Sequence, residues 1–505
     1  MLIIIRNLLI IFFSITTSLF SQFDIENIST SGTMGSVTIN GEIYNQVSIR
    51  PEIPIGKMGI GLDIYLYFND EGIYKGNWDF NDGKATYRTI IDKIYYIRWG
   101  QPGEPLYFRI GALNQISLGH GILVKNYSNT MQYPGIKRIG LDYRMQISNK
   151  VGIDIIHSDF KEGLVPGLLG GRVSYDISPK FETGLAIIGD ANQFAGLLDR
   201  DGDSVPDLLD DFPDDPEWKL DSDGDGIADH HPLEFDVDGD GLDNFYWDED
   251  SYDYVEYTSE QILDLQEIYR DRMDIDGTWT NIKPIFSLKD NKSPIYGYAF
   301  DFTFKLNRKI KLYGQYGILD GYGWGFSFPG FYTKVGPFNL RAEYRQCSDQ
   351  FMYSYWDRSY DLTRANVSGD NIITKSDKLN DMKAMKGYFI NVSSHLLDYF
   401  WIELAYEDLF SDDGRNKSFQ ANMNINTEKI PKLEVAKAFY QRSNDPKIFD
   451  FKNPSISTIY GYDIGFRVSK GMTMIYKNRI THKIDTATGE VISVPIMQIE
   501  TQMKF

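Results

Sequence analysis

The stretch PIYGYAFDFTFK (Pro294–Lys305) alternates without a break. Tyr296, Tyr298, Phe300, Phe302 and Phe304 fall on one face of an extended chain, and Gly297, Ala299, Asp301, Thr303 and Lys305 on the other, because successive side chains of a strand point to opposite faces. The split recurs. In Lys137–Gln146, Ile139, Leu141, Tyr143 and Met145 oppose Arg138, Asp142, Arg144 and Gln146. In Phe338–Cys347, Phe338, Leu340, Ala342 and Tyr344 oppose Asn339, Arg341, Glu343 and Arg345. In Ser418–Ile425, Phe419, Ala421, Met423 and Ile425 oppose Ser418, Gln420, Asn422 and Asn424. Such segments are about 10 residues long, the length a tilted strand needs to cross a bilayer. Aromatic residues make up 14% of the chain while its mean hydropathy is only -0.34, the composition of strands that meet lipid on one side and water on the other.

Links of a few residues, LNR (306–308), VGP (335–337) and SNK (148–150), alternate with longer polar loops. A soluble sandwich would also alternate, but with shorter strands and no systematic asymmetry of its loops. The chain ends PIMQIETQMKF, a full alternating strand closing on Phe505. It resembles the assembly signal of bacterial outer-membrane β-barrels. The fold class expected is therefore all-β, a transmembrane antiparallel up-and-down barrel of about 18–20 strands, embedded in outer-membrane lipid. Counting strands back from Phe505 gives eleven after the acidic segment and eight before it. The first are near 36–49, 57–68 and 88–98. Nineteen is odd where an even number is required, so the count points to a further strand at Phe23–Thr33 or to a miscounted one. With the chain ends in the periplasm, the count makes 191–293 an extracellular insertion between barrel halves 22–190 and 294–505.

Residues 1–21 combine Arg6 with an apolar run that ends in small and polar residues, the shape of a cleaved signal peptide. No later apolar run is long enough for a spanning helix. Export through such a signal, with a barrel to follow, implies the outer membrane of a Gram-negative-type bacterium. The single cysteine, Cys347, rules out an intrachain disulfide framework, so local stapling falls to another agent, and a metal is the obvious one.

Between Asp199 and Asp250 there are 21 acidic residues against two basic ones, nearly the whole formal net charge of -20. A run like this is usually a solvated tract, but its spacing is that of a cation loop. Asp199, Asp201, Asp203, Asp207 and Asp210 stand at relative positions 1, 3, 5, 9 and 12. Asp221, Asp223, Asp225 and Asp229 repeat the first four, with Gly226 at position 6. Asp236, Asp238, Asp240 and Asn244 repeat them again, with Gly241 at position 6. A hard cation such as calcium takes six to eight oxygens, and alternate carboxylates in a tight loop supply them. The bidentate glutamate of an EF-hand is missing. The segment more closely resembles thrombospondin type 3 repeats, which implies calcium held within the insertion, although Ser204 replaces the expected glycine of the first repeat. Thr258–Met273 reads as a short capped helix.

No HExxH, GxSxG or Walker pattern is present, and no enzymatic activity is expected. His120, in SLGHGILVKNY, is the one histidine in a suggestive place. The strand register makes Arg138, Asp142, Arg144, Lys311, Gln315, Arg341, Glu343 and Arg345 pore-lining, or else partners that only hold the wall together. The function expected is a porin-like channel for small polar solutes with a calcium-stabilised insertion. The alternative is a surface adhesin, anchored by a plugged barrel, whose insertion binds a glycan or protein. A nucleic-acid partner is not expected.

Overall fold

The computed structural model describes most of residues 29–504. Outside the described residues lie 1–28, 238–244, 257–284, Phe505 and short stretches elsewhere. The expected signal peptide, the terminal aromatic, the helix expected at 258–273 and all four expected ligands of the third aspartate register (Asp236, Asp238, Asp240 and Asn244) therefore fall beyond description.

The wall is a single antiparallel sheet of twenty strands. The first nine are β1 (Ser29–Ile39), β2 (Glu42–Ile55), β3 (Met58–Leu62, continued after Asp63 as Ile64–Asn69), β4 (Ile94–Trp99), β5 (Leu106–Gly111), β6 (Gly140–Ser148), β7 (Val151–His157), β8 (Leu168–Ser178) and β9 (Phe181–Asp190). After the insertion come β10 (Ile295–Lys305), β11 (Ile310–Leu319), β12 (Trp324–Val335), β13 (Phe338–Cys347), β14 (Met385–Leu396), β15 (Phe400–Phe410), β16 (Arg415–Ile425), β17 (Leu433–Asp445), β18 (Ile459–Ser469), β19 (Met472–Ile484) and β20 (Val491–Lys504). Each strand pairs with the next, and β1 closes on β20 with Gly35 opposite Glu500. Closure leaves no edge strand unpaired, the condition for a sheet to stand in hydrocarbon.

Two strand expectations are corrected. The stretch 36–49, read as one strand, contains the end of β1 and the start of β2. Between them the sequence reads Asn40-Gly41, a hairpin signal, and the count becomes even. The stretch 88–98, read as a strand, begins in a helix, α1 (Gly83–Ile91), and only then enters β4. Tyr87, Ile90, Ile91 and Ile94 stand at i, i+3, i+4 and i+7, a helical spacing.

The long connections 70–93, 112–139, 158–167, 191–294, 348–384 and 446–458 all leave one rim. The other rim carries the shorter turns, the start of β1 and the end of β20. Two of these turns use Gly336 and Gly471 at φ +58° and +80°, where a side chain would be strained. On the outer surface Leu185, Ile187, Tyr298, Phe300 and Phe331 are exposed. Tyr316 and Trp324 stack at 6.1 Å towards the long-loop rim. A continuous apolar belt with aromatic girdles is what lipid stabilises and water does not. The inward positions of the same strands, Asp301, Thr303, Gln315, Glu343 and Arg345, are buried. They are buried because two long loops turn back into the lumen.

Candidate functional site

Segments 112–139 and 348–384 fold inside the barrel and share one hydrophobic core. Leu113, Ile122, Leu123, Tyr127, Tyr355 and Trp356 are at most 2% exposed within it. They pack on the wall where its inward side chains are small. A β-carbon on Gly297 would lie 3.0 Å from Leu123 and 3.1 Å from Trp356, and one on Gly317 would lie 3.3 Å from Ile122 and Leu123. The approach of the loops therefore leaves little room for a side chain at either site. Backbone N–H groups and ion pairs complete the lock. Ile122 N–H donates to Gln315 Oε1 at 3.0 Å. Arg341 donates to the His120 carbonyl. Glu343 accepts from Tyr313 Oη at 2.7 Å and is flanked by Arg341 and Arg345, and Arg345 also pairs with Glu407. Each charge is buried with its counter-charge, as the low dielectric of the site requires.

At the tip of the first loop, between Gly119 (φ +56°) and Gly121 (φ +87°), His120 stacks on Tyr313 with ring centroids 4.1 Å apart. Its Nε2 lies 2.9 Å from Thr303 Oγ1. Burial, with Arg341 beside it, pulls its pKa down to about 4, so the ring is neutral at pH 7. The suggestive histidine of the sequence thus joins the plug to the wall.

The second loop also grips the base of the insertion. Tyr360 Oη donates to Asp190 at 2.7 Å, Arg364 pairs with the same carboxylate at 3.3 Å, and Tyr355 Oη donates to Gln193 at 2.7 Å.

The plug fills only one side of the lumen. Towards β2–β4 and β15–β20 a cavity of about 510 Å³ remains. Its lining includes Asp92 and Ile94, level with Asp63 and Leu62 midway along β3, and reaches Trp401 and Asn424 near the short-turn ends of β15 and β16. Between these residues it is bordered by Lys137 and Arg138 from the first loop, Arg358 from the second, and Lys437, Lys477 and Arg479 from the wall. Asp63, also in the lining, is held by Lys137 at 2.6 Å and Arg50 at 2.9 Å.

Of the eight residues expected to line a pore, Arg138 borders this cavity, and Arg345 borders a second one of about 60 Å³. Gln315, Arg341 and Glu343 face the lumen but bind the first loop or its partners. Asp142 and Arg144 form a two-bonded pair at 3.0 and 3.2 Å, and Lys311 lies 5.5 Å from the ring centre of Tyr332. Sequence reasoning missed Arg358, Lys437, Lys477 and Arg479. Lys437 and Lys477 were legible, since they alternate with outward residues of β17 and β19. Arg358 was not, because nothing in an aperiodic loop says that it turns inward.

In the insertion, two aspartate registers adopt one local geometry. Asp199 accepts from Gly202 N–H at 2.7 Å and Ser204 N–H at 3.2 Å; Asp221 accepts from Gly224 N–H at 2.7 Å and Gly226 N–H at 2.9 Å. Ser204 (φ +82°) stands where Gly226 (φ +93°) stands in the next repeat. Oxygens of Asp199, Asp201 and Asp203 lie within 4.8 Å of one another, and so do those of Asp221, Asp223 and Asp225. In the first register one oxygen each of Asp201, Asp203 and Asp210 is buried without a hydrogen-bond partner. Burial pushes the Asp210 carboxyl up to about 6. Lys219 Nζ stands 3.7 Å from the Asp203 oxygen, and converging carboxylates with buried oxygens that accept no hydrogen bond fit a hard cation. Asp229 accepts from both the N–H and the hydroxyl of Ser222 at 2.7 Å, and Asp207 lies four residues after Asp203 with its N–H donated to the Leu198 carbonyl.

No family model matches the chain, and no curated protein matches it. Among solved structures it is similar to OccK11 (OpdR) of Pseudomonas aeruginosa, at 8% identity over 95% of this chain and 96% of that one, with a TM-score of 0.31. The outer membrane protein OpdK of the same organism aligns at 10% identity over 95% and 99%, also with a TM-score of 0.31. A Rhodopseudomonas blastica porin mutant aligns at 9% identity over 95% and 99%, with a TM-score of 0.26. At such scores the barrel assignment rests on the pairing register of the chain itself.

Proposed function

We propose that this chain is a channel of the outer membrane of a Gram-negative-type bacterium, admitting small polar solutes along the unplugged side of its lumen. The observation that carries the reading is the cavity of about 510 Å³ left beside the plug, bordered by Lys137, Arg138 and Arg358 from the inserted loops and by Lys437, Lys477 and Arg479 from the wall. Its polar and charged walls suit hydrated solutes, and its width, set by the two inserted loops, favours small ones. In this reading the short turns face the periplasm and the insertion faces outward. Calcium, held by Asp199, Asp201, Asp203 and Asp210 in one loop and by Asp221, Asp223 and Asp225 in the next, neutralises carboxylates that otherwise repel one another and so sets the fold of the insertion. Proteoliposomes carrying the refolded mature chain are expected to swell in isosmotic arabinose or glycine at a rate empty liposomes do not match. Equal rates from inserted protein overturn the channel. Calcium binding is tested separately: chelator is expected to open 199–229 to protease, and unchanged protection overturns it.

The packed plug supports a second reading, a surface binding protein for a glycan or protein ligand, with the barrel as anchor. It predicts no swelling together with saturable ligand binding through the insertion.

A further inference from the structure

The cations around the lumen fall into two groups. Most have a carboxylate. Lys137 and Arg50 hold Asp63, Lys477 holds Glu500 at 2.6 Å, Lys375 holds Asp357 at 3.3 Å, and Arg341 and Arg345 share Glu343. The acids of the cavity lining are likewise matched. Asp92 has Lys161 at 2.7 Å, and Asp463 stands in register between Lys437 on β17 and Lys477 on β19.

Arg358 and Arg479 differ. Among the described residues neither forms an ion pair. Arg358 is 6% exposed, and both of its terminal nitrogens donate only to the amide oxygen of Asn422, at 3.2 and 3.3 Å. Arg479 donates to the carbonyls of Thr130 and Met131 at 2.8 and 3.3 Å, and its Nε is buried without an acceptor. The two guanidinium carbons lie 5.4 and 6.0 Å from the centre of one ring, Phe439, so two like charges stand beside the same ring, with Glu403, Asp357 and Asp463 acting on them only from beyond ion-pair distance. A second cation beside a desolvated one is unfavourable unless an anion completes the set. The planar fork of a guanidinium matches a carboxylate or phosphate.

We propose that Arg358 and Arg479 form a binding site for a small organic anion presenting a carboxylate or phosphate, which makes the cavity selective for such solutes. The proposal rests on the reading of the cavity as a solute path. One arginine comes from the inserted loop and one from the wall, so the anion also bridges plug and barrel. Phe439 and Trp401, in the same lining, offer apolar surface to a carbon skeleton.

The test is calorimetric titration of the full mature chain, refolded in detergent, with succinate, with inorganic phosphate and with neutral succinamide. Succinate or phosphate is expected to bind at one site while succinamide does not, and Arg358→Gln/Arg479→Gln is expected to weaken that binding at least tenfold. Binding by phosphate alone, or by succinate alone, supports the site and names its preferred anion. Anion binding no tighter than succinamide, or unchanged in the double variant, overturns it. Should the double variant not refold, Arg358→Gln alone, which leaves the wall intact, is expected to weaken binding at least threefold, and unchanged affinity overturns the proposal. Binding does not require conduction: silence in bilayers with calorimetric binding intact refutes the channel, and conduction without binding refutes the anion site.

Discussion

Facing the plug, the inward positions of β10 and β11 include Gly297, Ala299 and Gly317; facing the cavity, those of β16, β17 and β19 include Asn422, Asn424, Lys437, Phe439, Lys477 and Arg479. The strands themselves are of one kind, alternating and lipid-facing outside. The difference lies in what the inward residue leaves room for. Small residues admit the aromatic loop 351–360, and the ion pairs beyond them lock it. Polar residues on the opposite side leave a cavity bordered by charge. A barrel this wide cannot be filled by its own wall, and here it is filled on one side by its connections.

The largest effect that would break this comparison is expected from Glu343→Gln. It removes the counter-charge between Arg341 and Arg345, and leaving buried cations uncompensated costs roughly 3–5 kcal/mol. The expected readout is a lowered thermal midpoint together with noisy, enlarged channel currents as the first loop loosens. Acidification acts in the same direction. His120 titrates near 4 in the native protein against 6.5 when exposed. The released loop therefore binds a proton that the docked loop refuses, and plug stability falls as pH drops from 6.5 to 4, by roughly 2–3 kcal/mol. His120→Gln is expected to flatten that part of the stability profile, measured as unfolding midpoint against pH. Gly317→Val, driving a side chain against Ile122 and Leu123, is expected to cost about 1–3 kcal/mol in the same unfolding assay. The smallest effect sharpens a parallel comparison, between the two aspartate loops proposed to hold calcium. Ser204→Gly removes the strain of a positive φ that Gly226 does not carry, and is expected to stabilise the first loop by about 1 kcal/mol, seen as tighter calcium binding by titration.

The wall was legible in the sequence because a period of two leaves a record in every strand, as Tyr296–Phe304 illustrate. The two slips, at 36–49 and 88–98, came where a hairpin dipeptide and a helical spacing were read through as strand. The plug left no period. Its traces were indirect: glycine and alanine on an inward face that lipid never touches, and Phe351, Tyr353, Tyr355, Trp356 and Tyr360 crowded into a loop that water would not favour. The shared turn geometry of the first two aspartate registers was legible because it is set by local spacing. The pairing of Arg358 with Arg479 was not, since residues over a hundred positions apart meet only through the fold.

Single-channel conductance of the refolded mature chain, compared with Asn424→Trp at the short-turn end of the cavity, tests the division of the lumen most directly. Steady ohmic steps that fall severalfold in the variant are the predicted result. Silence from folded, inserted protein, or steps that Asn424→Trp leaves unchanged, would contradict the account.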